Sequence, residues 1–86
     1  MPQISAFYGI VIAMYFNDHV PPHFHAIYAS DEATINIETG EVIDGELPRR
    51  ALRLVREWAA AHREELRANW DLARQPAPLN QIAPLD

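Results

Sequence analysis

Three of the four histidines lie close together in residues 18–25, which read Asp-His-Val-Pro-Pro-His-Phe-His. His23 and His25 are separated by one residue, so in a β-strand both imidazoles leave the same face, ~7 Å apart at the backbone. His19 precedes them across a Val-Pro-Pro turn, and the restricted backbone of that turn can fold a third imidazole over the pair. Neutral imidazoles in such an arrangement are typical transition-metal ligands. The segment therefore predicts a metal site.

The predicted ligands are His19, His23 and His25, with Asp18 as a fourth ligand or as a group that orients one of the rings. Because the chain has no cysteine, a metal can be held only by histidine and carboxylate. A divalent transition metal, above all zinc, is the expected cofactor. Two alternatives remain open: a metal-free acid–base site, and structural rings that hydrogen-bond the backbone of a hairpin.

The spacing of apolar residues indicates the elements that hold this segment. A nearly continuous apolar run is followed by a turn, a return strand and a second hairpin around Thr39-Gly40. The predicted strands are residues 7–16, 23–29, 33–37 and 41–43. Pro48 is well placed to begin a helix, since a missing N–H is no loss in the first turn. Apolar residues then recur with the helical period to about Arg74, and Pro76 and Pro78 end the pattern.

The sequence thus predicts an α+β fold, in which a four-stranded antiparallel sheet made of two hairpins is followed by one long C-terminal helix packed on one face. Residues 1–75 are expected to form a single β-β-β-β-α domain, and residues 76–86 a proline-rich tail. One helix covers only one face of the sheet, whereas the first strand is apolar on both. The tail or a second copy of the chain must cover the other face, and we favour a homodimer.

His62 lies on the apolar face of the predicted helix, so it is a conditional further metal ligand. It can join the cluster only if the helix covers the sheet face that carries His23 and His25. If Phe24 and Tyr28 face the helix instead, the cluster and His62 lie on opposite sides of the sheet. The apolar character of Phe24 and Tyr28 favours the second arrangement.

The charges are distributed unevenly along a chain whose net charge is -5. Residues 1–48 carry seven acidic residues and no basic one, and all seven basic residues are arginines between Arg49 and Arg74. The acidic balance and the lack of lysine argue against direct nucleic-acid binding. The N-terminus lacks a secretory signal, and no apolar run reaches the ~18 residues that span a membrane, so we expect a cytoplasmic protein.

The arginines of the predicted helix form a stripe that can pair with phosphates or with an acidic surface of a partner protein. A solvated helix face with local salt bridges is the alternative. Ser5 and Ser30 lack the local sequence of an activated nucleophile, so no catalytic residue is identified and the sequence does not decide whether the protein is an enzyme.

Several segments carry a family resemblance. They are Tyr8-Gly9-Ile10-Val11-Ile12, Met14-Tyr15-Phe16-Asn17-Asp18-His19, Pro21-Pro22-His23-Phe24-His25, Ile37-Glu38-Thr39-Gly40-Glu41, and Trp58 with Asn69-Trp70. Together they resemble the bacterial domain-of-unknown-function family number 4160 over nearly the whole chain, and Pro-Pro-His-Phe-His is the most specific part. The resemblance implies a short bacterial protein encoded beside a small protein partner, in a two-gene arrangement like that of toxin–antitoxin pairs. It implies no reaction, cofactor or catalytic residue.

Two classes of function follow from these observations. The first is a protein that binds a transition metal through the histidine cluster. The second is a protein–protein interaction module, one half of a toxin–antitoxin-like or regulatory pair, in which the histidines are structural. In that case the arginine stripe or the apolar outer face of the sheet is the docking surface.

Overall fold

The computed structural model describes residues 2–86, which form one antiparallel sheet and two helices. The strands are β1 (Gln3–Phe7), β2 (Ile10–Ala13), β3 (His23–Tyr28), β4 (Asp31–Asn36) and β5 (Val42–Gly45), and the helices are α1 (Arg49–Ala61) and α2 (Arg63–Ala73). Each strand pairs with the next one along the chain, in the order β1-β2-β3-β4-β5. The predicted α+β fold is confirmed, but the prediction of four strands and one long helix is wrong.

The additional strand arises from a tight turn at Tyr8-Gly9. Both residues have positive φ, 49° and 80°, as in the two-residue turns that match the twist of a β-hairpin. Phe7 and Ile10 pair directly across the turn. The predicted strand of residues 7–16 therefore contains only the last residue of β1, followed by this turn and all of β2, and most of β1 lies before it.

The predicted long helix is interrupted at His62, whose φ of -122° and ψ of 26° are not helical. The N–H of His62 still bonds the carbonyls of Trp58 and Ala59, and its own carbonyl accepts from Leu66, so α2 begins at once. Neither proline nor glycine marks this break in the sequence. Within residues 2–86, neither helix is long and apolar enough to cross a membrane.

The helices cover the sheet face that carries Phe24. The Phe24 ring lies edge-on to Trp58 with the ring centroids 5.8 Å apart, and Phe7 also contacts Trp58 at 5.4 Å. Because side chains alternate along a strand, His25 and its cross-strand partner Thr34 lie on the opposite, open face. The helix therefore packs on the Phe24 side, and His25 is left on the side that no helix covers.

The C-terminal tail packs beside β1 and the helices. Ile82 is buried and its N–H donates to the carbonyl of Ile4 at 2.8 Å, while the Trp58 indole N–H donates to the carbonyl of Ala83 at 2.8 Å. The buried Asn69 amide bonds both backbone groups of Asn80 at 2.9 Å. The tail thus closes the helix side of the core and not the face that carries His25. The homodimer stays a prediction.

Candidate metal centre

The loop of residues 14–22, between β2 and β3, supplies the carboxylate of the site. The N–H of Asn17 donates to the carbonyl of Ala73 at 3.1 Å, which fastens the loop to the end of α2. The next residue, Asp18, accepts the backbone N–H of His19 on Oδ1 at 2.9 Å. These bonds direct the other carboxylate oxygen, Oδ2, toward the start of β3.

His23 is buried, and its two ring nitrogens have different partners. Nδ1 lies 2.7 Å from the carbonyl oxygen of Pro21, and since a carbonyl only accepts, Nδ1 carries the hydrogen. Nε2 lies 2.8 Å from Asp18 Oδ2. In a ring that is protonated on Nδ1, Nε2 offers a lone pair to a carboxylate oxygen, so this contact needs a proton or a metal cation between the two atoms. The ring packs against Trp70 with centroids 5.1 Å apart.

His25 approaches the same carboxylate from the open face. Its Nδ1 lies 3.2 Å from Glu32 Oε2 and 3.4 Å from Thr34 Oγ1, so both groups can accept the Nδ1 hydrogen. Its Nε2 is buried, makes no hydrogen bond of ordinary length within residues 2–86, and lies 3.5 Å from Asp18 Oδ2. A buried lone pair beside a carboxylate oxygen is the environment that a cation occupies. The Tyr15 and His25 rings pack edge to face with their centroids 4.5 Å apart, and this contact fixes the imidazole plane.

The electrostatic environment keeps Asp18 ionised. Desolvation opposes ionisation, but the hydrogen bonds from His23 and from the backbone N–H of His19 outweigh it, so the pKa of Asp18 lies below its ordinary value. An anionic ligand is therefore in place between the two imidazoles at neutral pH.

Asp18, His23 and His25 offer one ligand atom each, and these atoms all lie within 4.8 Å of one another. Ligand atoms of a tetrahedral zinc ion, at the usual bond lengths, are about 3.4 Å apart. The 3.5 Å between Asp18 Oδ2 and His25 Nε2 meets that spacing directly, and the 2.8 Å contact to His23 must widen by about half an ångström. Two imidazoles and one carboxylate with free positions is a donor set of catalytic and transport metals.

His19 lies at the rim of this group. Its side chain is 89% exposed, its Nδ1 is 3.0 Å from the other Asp18 oxygen, Oδ1, and its ring centroid is 5.7 Å from that of His23. The three predicted imidazoles are thus neighbours. The structure brings two of them into ligand range together with Asp18, and it leaves His19 in solvent.

The structure does not bring His62 to the cluster. Its ring packs on Trp58 at 5.5 Å, and Nδ1 pairs with Glu65 Oε1 at 2.6 Å. The helix covers the Phe24 face of the sheet, whereas His25 projects from the opposite face, so the sheet separates the two rings. The condition under which His62 could join the cluster, a helix over the sheet face that carries His25, is therefore not met. The arrangement is the one that the apolar character of Phe24 and Tyr28 favoured.

The groups that orient the ligands have no signal in the sequence patterns around Asp18, His23 and His25. Glu32 and Thr34 hold Nδ1 of His25, and Asp44 lines the same cleft, whose volume is about 210 Å³. A two-residue turn at Ala29-Ser30 fixes the register that places Thr34 opposite His25, so this pair can be deduced once the turn is recognised. The contact between His23 and Trp70 depends on tertiary packing and has no local signal.

The fold and the site define a small α+β protein whose five-stranded meander carries a histidine–carboxylate group able to hold a metal. The family described as Domain of unknown function (DUF4160) matches residues 9–71, which include every strand from β2 to β5 and the whole site. The chain belongs to this family, as its motifs predicted. No curated protein and no solved structure matches the chain.

Proposed function

We propose that this protein binds a divalent transition metal, zinc above all, through Asp18, Nε2 of His23 and Nε2 of His25. The observation that carries the proposal is the buried Nε2 of His25. Among residues 2–86 it makes no hydrogen bond of ordinary length, and it lies 3.5 Å from a carboxylate oxygen that also contacts His23. Each imidazole also has an acceptor at Nδ1, the outer hydrogen bond that fixes the tautomer of metal-binding histidines.

The donor set supports zinc over the hard cations. Magnesium and calcium prefer shells of oxygen ligands, whereas imidazole nitrogen suits zinc, iron, nickel and copper. Zinc has no directional preference of its own and tolerates three protein ligands with a fourth exchangeable position. His19 stays a candidate for that fourth position, because rotation of an exposed side chain beside Asp18 needs no change in the core.

The test is metal titration of protein purified without a histidine tag and stripped with a chelator. Isothermal titration calorimetry with Zn²⁺ should give one site per chain. His23→Gln and His25→Gln should each weaken binding at least ~100-fold, because each removes a ligand. His62→Gln is the matched control and should leave the affinity unchanged. Absence of a binding isotherm for zinc, cobalt, nickel and iron would refute the proposal.

A second function, docking of an acidic partner protein, is supported by the arginines of α1. Two arginines of α2 already have partners in the connection between β4 and β5: Arg63 donates to the Ile37 carbonyl and Arg67 to the Glu38 carboxylate. Four arginines of α1 are exposed, and their side chains form no hydrogen bond or ion pair within residues 2–86. We call them the arginine surface; they are Arg49, Arg50, Arg53 and Arg56.

Two exposed tyrosines adjoin the arginine surface. Tyr8 and Tyr28 share a small surface cavity with Arg50. Tyrosine and arginine are the residues that most often dominate protein–protein binding energy, and a guanidinium pairs with two carboxylate oxygens at once. The acidic β4–β5 region next to α1 disfavours a long polyanion, so we expect an acidic protein segment and not a nucleic acid.

The docking function is tested with a fluorescein-labelled peptide rich in aspartate and glutamate that contains two tryptophans. Binding at low salt should weaken about tenfold when Arg50 and Arg53 are replaced by alanine. Arg74→Ala removes one positive charge elsewhere and is the control for the single variants Arg50→Ala and Arg53→Ala, which should each weaken binding more than it does. Tighter binding of a single-stranded oligonucleotide than of the peptide would reject the acidic-protein partner, and so would equal binding by all variants.

A further inference from the structure

The cleft over the proposed metal site is lined by the three ligands, by their loop neighbours His19 and Pro21, and by three residues of β4 and β5, which are Thr34, Ile43 and Asp44. Trp70 packs against the His23 ring and Tyr15 against the His25 ring. A metal ion held by the three ligands would therefore have its exchangeable positions in this cleft. A ligand that reaches the metal from solvent passes the residues of β4 and β5.

The strand register brings a second carboxylate across from the metal ligands. His25 pairs with Thr34, and Thr34 pairs with Asp44, so the three residues form a row across β3, β4 and β5 on the open face. Neighbouring strands are about 4.8 Å apart, which puts the Asp44 backbone roughly 10 Å from that of His25. From there the Asp44 side chain lines the cleft, on the side opposite the metal ligands.

The charges around this cleft are negative. Asp18 and Asp44 line it, and Glu32 lies 3.2 Å from His25 Nδ1. A divalent ion contributes two positive charges against these three carboxylates, which leaves about one negative charge. Sites that bind phosphate or carboxylate at a metal normally add guanidinium, ammonium or clustered N–H groups. Within residues 2–86, none of the seven arginines lines this cleft.

We infer that the exchangeable ligand of the metal is an uncharged donor, such as a neutral nitrogen or an amide carbonyl, and that anions are excluded. This inference rests on the proposed metal site and deepens it by naming the ligand class. Asp44 is the residue that sets the selectivity, since it carries the negative charge that faces the open coordination positions. Ile43 adds an apolar wall beside it, which favours a ligand with a hydrocarbon part over a hydrated ion.

The experiment uses the full chain loaded with Co²⁺, whose visible absorption band changes when a ligand enters the coordination shell. Imidazole, at a pH where it is uncharged, and azide are titrated separately at constant ionic strength. Azide should bind at least about tenfold more weakly than imidazole. Asp44→Asn should strengthen azide binding about tenfold and change imidazole binding less than about twofold. Glu46→Gln makes the same charge change outside the cleft and should alter neither.

The outcomes distinguish failure of the metal site from failure of the ligand class. A protein that shows no cobalt band rejects the metal site and the ligand class with it. A cobalt band that responds equally to azide and imidazole rejects only the ligand class. An azide affinity that is unaffected by Asp44→Asn rejects the role of Asp44 in the selectivity.

Discussion

Replacing Asp18 by asparagine removes one metal ligand while keeping the size of the side chain. Asp18 Oδ2 is the atom shared by both imidazoles, 2.8 Å from His23 and 3.5 Å from His25, so no other single atom affects the site as much. An amide binds a transition metal far more weakly than a carboxylate. We therefore expect Asp18→Asn to weaken zinc binding about 100-fold, the upper end of what is seen even for groups that only support a ligand.

The expected size of the effect follows from linkage between binding and folding. At a free zinc concentration 100 times the dissociation constant, binding stabilises the folded protein by about 2.7 kcal/mol. For a domain of this size, that raises the melting temperature by roughly 11–22 °C. A 100-fold weaker site at the same zinc concentration gives only about 0.4 kcal/mol, or roughly 2–3 °C.

Differential scanning fluorimetry with and without zinc measures this difference. Each variant is compared with its own metal-free form, so that loss of the Asp18–His23 hydrogen bond cancels. Asp71→Asn makes the same charge change on the exposed surface of α2 and should keep the full zinc shift. The proposed metal site is refuted if Asp18→Asn keeps the full zinc-induced rise in melting temperature, or if no transition metal raises the melting temperature of the unmodified protein.

Three further predictions concern the fold. Asn69→Ala should lower the unfolding free energy by about 2–4 kcal/mol in urea denaturation, because it removes both bonds to the Asn80 backbone and leaves a cavity in the core. Gly45→Ala should cost ~2 kcal/mol or more in the same assay, since Gly45 has a φ of +74° and an added Cβ would lie 2.1 Å from a neighbouring carbonyl oxygen. The hydrogen bond from Arg67 holds the pKa of Glu38 below its ordinary value of 4.5, so this pair stabilises the protein above that pH and its contribution is lost on further acidification. Glu38→Gln should flatten the acid side of the stability profile, and an unchanged profile would contradict the assignment.

The sequence predicted the return strand and placed His23 and His25 on one face of it. Alternation puts Phe24 and Tyr28 on the other face, and their apolar character favoured that face for the helix without deciding the choice. The sequence left the choice open until the contact between Phe24 and Trp58 decided it. It also predicted a helix beginning beside Pro48 and ending before Pro76, although α1 begins one residue later, at Arg49.

Two features were hidden from the sequence for physical reasons. Tyr8-Gly9 forms a turn although tyrosine seldom adopts positive φ, so the pattern predicted an uninterrupted strand. His62 interrupts the helix although neither proline nor glycine is present, so no residue type in the sequence marks the break. His62 lies away from the cluster because the helices cover the Phe24 face of the sheet, and its ring pairs with Glu65.

The meander has a consequence for the kinetics of folding. Consecutive strands are joined by connections of two, nine, two and five residues, so every sheet contact is short in sequence, and contacts of this kind favour rapid folding. The nine-residue connection is the one that carries Asp18. Closing it costs about 1.3 kcal/mol more in chain entropy than closing a two-residue turn. The hairpin that builds the candidate metal centre is thus the slowest of the four to close, and a bound ion would slow its reopening more than its formation.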